Sequence, residues 1–419
     1  MMLERILSRQ NLKNALERVE RNKGSHGVDG MSVKDLRPHL KEHWATLRAE
    51  IEQGTYFPQP VRRVEIPKPN GGVRKLGIPT VIDRFLQQAI AQVLNESYDS
   101  SFSPHSYGFR PNKRGHDAVR KARTFIQQGY RWVVDIDLEK FFDKVNHDRL
   151  MRTLSQRITD SRVLQLIRRY LQAGVMERGL VSPNTEGTPQ GGPLSPLLSN
   201  IVLDELDKEL EKRGIPFVRY ADDCNLFARS KRAGERMMQN ITTFIETKLK
   251  LKVNREKSAV DRPWRRKFLG FTFTFHPEPK IRISKQSIQR LKQRIRELTS
   301  RRKSISMRDR LEKLNRYLVG WLGYYQLAET PSIFSKIDSW IRRRLRMIRW
   351  KEWKKIGTKH KNLTKLGINK FKAWEWANSR LGYWRIAKSP ILDRALDNQY
   401  WLNQGLKSLH LRYQILRQT

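Results

Sequence analysis

Residues 217–228 read Phe-Val-Arg-Tyr-Ala-Asp-Asp-Cys-Asn-Leu-Phe-Ala, and within them Tyr220-Ala221-Asp222-Asp223 sets two adjacent carboxylates between two short apolar, β-prone runs. The pattern predicts a hairpin with acids at its tip. Side chains alternate faces along a strand, so consecutive acids on a regular strand would point opposite ways. At a tight turn both can approach one metal site. Asp-Asp is also an ordinary turn dipeptide, so the tetrapeptide alone does not fix a function.

Upstream, Trp132-Val133-Val134-Asp135-Ile136-Asp137-Leu138-Glu139-Lys140-Phe141-Phe142 again delivers acids from an apolar, β-branched run. An unpaired carboxylate on a half-buried strand loses much of its solvation, so two such strands ending in acids point to a shared cation. Asp135 and Asp137 lie two residues apart, on one face. Either could be the ligand, and Asp143 is a third candidate. Polymerases join nucleotides by in-line displacement between two divalent ions roughly 3.5–4 Å apart, and carboxylate oxygens suit hard Mg²⁺. Three acids on two adjacent strands would supply that clamp.

Two further stretches have local readings of their own. Lys68 and Arg74 flank Pro69-Asn70-Gly71-Gly72-Val73, a turn-rich loop whose two cations could reach a triphosphate, or else form a solvated basic hairpin tip. Thr188-Pro189-Gln190-Gly191-Gly192-Pro193 is too dense in Pro and Gly for helix or central strand. Gly191 and its neighbour permit close backbone approach to a ligand, and Gln190 could then stack or hydrogen-bond at a nascent base pair; a plain loop ahead of an apolar helix from Leu194 to Leu206 is the other reading.

Taken in order, "RRVEIPKPNGGVRKLGIPTVIDRFLQQAI", "SYGFRPNKRGHDAV", "VVDIDLEKFFDKVNH", "GTPQGGPLSPLLSNIVLDELD", "RYADDCNLFA", "LKVNREKSAV" and "FLGF" make the chain resemble the reverse transcriptases, and among them the group II intron-encoded maturase-reverse transcriptases. The resemblance runs from about Asn11 to the C-terminus. It implies a right-hand α+β polymerase, with an N-terminal extension and fingers over 1–85 and a palm interleaved with the remaining fingers over 86–280. A helical thumb over 281–357 and a small basic DNA-binding domain over 358–419 would follow. In the family the first catalytic acid precedes by five residues the aromatic beneath the incoming sugar, which selects Asp137 over Asp135 and Asp143 and makes Phe142 the steric gate against a ribose 2′-hydroxyl. Asp222 and Asp223 become the other catalytic and metal-holding acids, with two Mg²⁺ ions. Lys68 and Arg74 become finger-loop nucleotide contacts, and Lys257 a phosphate-proximal lysine. Residues 21–30, "RNKGSHGVDG", which include Lys23, resemble a lid over the template; a flexible connector reads the same glycines equally simply.

Composition sets the limits. At 419 residues and 38% hydrophobic content the chain can bury substantial cores and form more than one domain. A net charge of +42 predicts a polyanionic partner held by salt-sensitive phosphate contacts. Nucleic acid fits better than a membrane surface, because no apolar run approaches ~20 residues and no signal peptide opens the chain. A cytoplasmic, RNA-bound protein is expected. The single Cys224 excludes intramolecular disulfides and Cys-X-X-Cys zinc sites.

The charge is uneven: residues 281–419 hold 34 Lys+Arg against 9 Asp+Glu, and eight of the eleven tryptophans. Basic side chains interleaved with aromatics suit phosphate contact plus base stacking. Apolar stripes through Ile288, Leu291, Ile295 and Leu298, then Leu311, Leu314, Leu318 and Trp321, then Ile333, Ile337, Trp340, Ile341 and Leu345 predict three amphipathic helices. Arg342, Arg343 and Arg344 on the third could grip a phosphate backbone or be a solvated face.

No His-Asn-His module with cysteine pairs follows residue 419, so the resemblance implies the compact, endonuclease-lacking, group IIC-like kind. The expected partners are intron RNA as template, a DNA primer or target, and dNTPs. Expected roles are copying intron RNA into cDNA, aiding intron splicing, and retrohoming. A splicing maturase with a vestigial polymerase, or the same chemistry in a retron, diversity-generating or CRISPR-associated system, is the alternative. Clustered acids would repel phosphates in a pure RNA scaffold, and they favour the polymerase.

Overall fold

The computed structural model describes residues 1–68, 71–177, 179–184, 187 and 191–418. Gln190 and the tip residues Pro69 and Asn70 lie outside them. Among the described residues the strands are β1 (Val61–Pro67), β2 (Val73–Ile78), β3 (Trp132–Ile136), β4 (Val175–Glu177), β5 (Leu180–Ser182), β6 (Phe217–Tyr220), β7 (Asp223–Ala228), β8 (Ala259–Asp261), β9 (Phe271–Phe273) and β10 (Ile281–Ile283). The chain separates into two compact units, Met1–Arg266 and Lys267–Thr419.

In the first unit a four-stranded sheet runs in the order β6-β7-β3-β8, all pairs antiparallel. Its runs Phe217–Val218, Leu226–Phe227 and Val133–Val134 are buried because both faces carry apolar side chains against packed neighbours. Helix Gly115–Gln127 packs on β6, and helix Lys231–Phe244 packs on β3, β7 and β8. Helix Ser195–Lys212, forecast from its apolar start after Pro193, buries Leu197, Leu198, Ile201, Leu203, Leu206 and Leu210 in the same core.

A second sheet, in the order β2-β1-β4-β5, begins with the β1–β2 hairpin, whose final register pair is Pro67↔Val73. The chain then enters helix Val81–Tyr98. Thr80 caps it by accepting from the Asp83 amide at 3.1 Å.

The second unit opens on the β9–β10 hairpin and continues as helices Lys285–Leu298, Met307–Tyr325 and Ser332–Glu352, as the three stripes predict. Leu291, Ile295, Leu311, Leu314, Leu318, Ile337, Ile341 and Leu345 form one core that extends through Leu363, Leu392, Trp401 and Tyr413. Buried Asp338 ties the end of the chain to the third helix: it accepts from Ser408 Oγ at 2.7 Å and from the amides of Leu409 and His410, both at 2.9 Å, at the start of the last helix. Among the described residues no helix is long and apolar enough to cross a membrane.

Candidate active site

The acid pair sits where the sequence places it, at the tip of a hairpin. Tyr220 pairs with Asp223, which leaves Ala221-Asp222 as a two-residue loop with Ala221 at φ +57°. Adjacent β3 pairs with β7 as far as Ile136↔Cys224, so continuing the register brings Asp137 level with Asp223. Burial holds the Asp222 carboxyl above the usual carboxylate range, and the nearby negative charge of Asp137 adds to the effect; the Arg74 and Arg219 cations oppose it. Asp137 and Asp222 are therefore within electrostatic reach of one another, and Arg74 of the β1–β2 hairpin is within reach of Asp222.

The three candidates on the first acidic stretch are separated by their partners. Asp135 is engaged by Arg266, which donates to Oδ2 from Nε at 3.0 Å and from Nη2 at 2.5 Å. Asp143 is exposed on the short helix Phe141–Lys144. Asp137 leaves the strand with its side chain 42% exposed and the ammonium of Lys257 3.7 Å from Oδ2. Its backbone is pinned on both sides, its amide donating to Ser258 Oγ at 3.0 Å and its carbonyl accepting from Asn254 N at 2.8 Å. Segment 251–258 thus delivers Lys257 to this acid.

Phe142 is half-buried, edge-on to Phe141 at 5.3 Å between centroids, and packed against the first unit's core. Gly191, at φ +128°, has room for no side chain: a Cβ there would meet the Gly77 carbonyl oxygen of β2 at 2.6 Å. Gly191 and the β1–β2 hairpin therefore touch through backbone. Lys68 and Arg74 are both exposed, on opposite arms of that hairpin.

Lys23 ends helix Arg9–Asn22 in the left-handed conformation. The glycine-rich stretch after it is fastened: Arg62 donates to the His26 carbonyl at 3.1 and 2.9 Å, and Arg84 to the Ser25 carbonyl at 2.6 Å.

The three consecutive arginines of the second unit are half-buried and engaged within the fold. Arg343 lies 3.8 Å over the Trp384 ring and donates to the Trp384 carbonyl at 3.0 Å. Arg344 donates to Thr299 Oγ1 at 2.6 Å, at the end of helix Lys285–Leu298. Burial disfavours the charged form of Arg342.

Sequence reading missed the support behind the turn. Arg219 was counted only as part of an apolar strand, yet it is fully buried and ion-paired to fully buried Asp207. The available signal was a cation in the middle of a four-residue buried strand, together with an acid at position 207 on the buried Leu203–Leu206–Leu210 face of a helix.

Asp137, Asp222 and Asp223 supply the oxygen donors that a hard divalent cation takes, and the repulsion between Asp137 and largely buried Asp222 is what such a cation would relieve. Among the described residues no three His, Cys, Asp or Glu side chains are gathered closely enough to form a ready-made ion site.

Residues 66–273 match the reverse transcriptase (RNA-dependent DNA polymerase) family, and residues 288–367 match the group II intron, maturase-specific domain. Protein YkfC of Escherichia coli (strain K12) is 34% identical over 279 residues, covering 57% of this chain and 73% of its own length. Group II intron-encoded protein LtrA of Lactococcus lactis subsp. cremoris is 38% identical over 182 residues, 43% of this chain and 29% of its own length. Among solved structures, a partial Cas6-RT-Cas1--Cas2 complex is similar over 58% of this chain and 42% of that one, with 25% identity and a TM-score of 0.37. The chain belongs to the reverse transcriptases, in the group II intron-encoded branch that joins a polymerase to a maturase-specific domain.

Proposed function

We propose that this protein copies intron RNA into cDNA from a DNA primer and also binds the intron as a splicing cofactor, using one unit chiefly for chemistry and the other chiefly for binding. The observation that carries the catalytic half is the meeting of Asp137 and Asp222 at the ends of paired strands, with Asp223 in register and Arg74 within electrostatic reach. Asp137, Asp222 and Asp223 would hold two Mg²⁺ ions. When bound, such ions supply charge neutralisation for an in-line phosphoryl displacement.

The chain's own residues then divide the remaining work. Lys68 and Arg74 meet the triphosphate from the finger hairpin, Arg74 by a planar fork and Lys68 as a point charge. Lys257 stands beside Asp137, where a phosphate would also be held. Phe142 supplies the floor beneath the sugar, and a 2′-hydroxyl would collide with it. Gly191 lets backbone approach the nascent pair, and Gln190 would read it.

The binding half rests on the maturase-specific match and on net positive charge concentrated in residues 281–419. Residues 358–419 would contact DNA. Lys23 and the loop after it, held by Arg62 and Arg84, would cover the template. The test is primer extension on an RNA template with Mg²⁺. Asp222→Ala should lose extension by orders of magnitude while RNA affinity stays nearly unchanged. Near-wild-type extension by that variant would remove the catalytic assignment.

A further inference from the structure

The turn that carries Asp222 is an awkward place for precision. It is two residues long, one of them an alanine in the left-handed region, and it ends a short strand. Something must hold it. Behind it lies Arg219, fully buried, with all five guanidinium N–H groups directed to acceptors. Nε and Nη2 donate to Asp207 Oδ1 and Oδ2 at 2.7 and 2.6 Å, Nη1 to Asn200 Oδ1 at 3.0 Å, and Nη2 to Ser106 Oγ at 2.8 Å. The fifth bond runs from Nη1 to the Ala221 carbonyl at 2.9 Å, on the turn itself.

The partners are themselves fixed. Asn200 donates to the Gly108 carbonyl at 2.8 Å, and Arg110 donates to the Ser103 and Ser106 carbonyls at 2.6 and 2.9 Å and to Asp99 Oδ1 at 2.7 Å. Segment 105–107 is bonded to the backbone of Arg219 in both directions, each bond 2.9 Å. Gly108 presses on the turn so closely that a Cβ there would lie 2.2 Å from the Ala221 nitrogen. An apolar pair of similar volume would pack this interior at least as stably as a buried ion pair. What an apolar pair could not do is hold a carbonyl in a fixed plane, which the arginine fork does.

We propose that Arg219 is a positioning residue for nucleotide addition: locked by Asp207, Asn200 and Ser106, it holds the Ala221 carbonyl and so sets where Asp222 and Asp223 stand. The inference rests on the polymerase reading above. Arg219 touches no substrate in this account; it acts through the turn.

The test is single-nucleotide addition to a preformed primer–template, with maximal rate and half-saturating dNTP measured separately, alongside primer–template affinity by anisotropy and a melting curve. Arg219→Lys keeps the charge and loses the fork. Its maximal rate should fall about 100-fold, with half-saturating dNTP and duplex affinity within about threefold of wild type, because misplacement of about 1 Å costs that much in rate. Ser106→Ala removes one acceptor, and Gly108→Ala pushes on the turn without removing any hydrogen bond; both should lower the rate several-fold with duplex affinity retained.

A folded Arg219→Lys with wild-type rate would overturn the proposal, as would a loss that merely follows duplex affinity or melting. Should Arg219→Lys fail to fold, Ser106→Ala and Gly108→Ala decide, and wild-type rates in both would overturn it. An inactive wild-type chain, or an active Asp222→Ala, would instead overturn the polymerase reading beneath it.

Discussion

The unit Met1–Arg266 carries 48 Lys+Arg against 32 Asp+Glu, whereas Lys267–Thr419 carries 36 against 10 in little more than half the length. In the first, cations are largely answered by acids, many of them in defined pairs such as Arg219–Asp207 and Arg266–Asp135, and Asp222 at the turn lies within the repulsive reach of Asp137. In the second, acids are scarce and much of the positive charge is uncompensated. Placed charge directs chemistry, and surplus charge attracts a polyanion. The arginines of the two units sharpen the contrast. Arg219 is engaged at the acid-bearing turn, while Arg343 and Arg344 are engaged by Trp384 and Thr299, so a phosphate grip by the second unit would have to come largely from other, exposed cations.

The widest separation between the units should appear in catalysis. Asp137→Ala is expected to slow extension by about 10³-fold or more with RNA affinity unchanged. Asp135→Ala should spare chemistry and instead destabilise the first unit by about 1–3 kcal/mol, by stranding the Arg266 guanidinium. Primer extension and a chemical denaturation curve on both variants check this. The reverse pattern would move the catalytic assignment to Asp135.

The binding side is sharpened by two sets of cations. Replacing exposed Lys354, Lys355 and Lys361 by Gln should lower affinity for structured RNA about 10- to 100-fold at fixed salt, flattening the salt dependence by close to one unit of slope per lost phosphate contact. Melting should hardly change. Reversing Arg342, Arg343 and Arg344 to Glu should weaken RNA binding too, but with a fall in melting temperature, since Arg343 and Arg344 leave Trp384 and Thr299 without their partners. Filter binding across a salt series, with melting curves, separates the two. Equal melting for both sets would break the distinction.

A smaller effect is expected at the sugar. Phe142→Ala should raise ribonucleotide incorporation several-fold relative to deoxynucleotide incorporation, with a cost in stability of up to about 3 kcal/mol because the ring also packs on the core. Unchanged discrimination would leave it a packing residue only.

The smallest effect is on stability and reads the electrostatics of the turn directly. Burial and Asp137 raise the Asp222 pKa in the folded state, so the folded protein binds that proton more tightly than the unfolded chain. Stability from this carboxyl is therefore present at low pH, is lost as pH rises from the unfolded-state value through the raised folded one, and at pH 7 the ionised group is a net burden. With divalent ions chelated, Asp222→Asn should melt above wild type at pH 7, the gap closing toward pH 4. A lower melting temperature at pH 7 would contradict the crowded-acid description.

Much of this was legible in the chain. The hairpin at 217–228, the neighbouring strand at 132–136, the helix after Pro193 and the three helical stripes follow from side-chain periodicity and turn chemistry. The choice of Asp137 was not readable from alternation, because Asp135 shares its face; the structure separates them by giving Asp135 to Arg266, 131 residues away. Arg219 was hidden for a similar reason. Ser106 lies 113 residues away, and Asp207, although only 12 residues before Arg219, stands on a helix, so that the pair shows only once helix and strand are packed together. Arg342–Arg344 read as surface because three adjacent charges on a helix usually are; only tertiary packing reveals Trp384 and Thr299 beside them.

The most direct test of the division of labour is one variant measured two ways. Asp222→Ala should lose RNA-templated extension by orders of magnitude while binding structured intron RNA, and supporting its splicing, as the wild type does in the same buffer at ~0.15–0.5 M salt. Loss of RNA binding and splicing together with extension, in a protein that still melts as a folded chain, would contradict the assignment of chemistry and binding to different parts of the molecule.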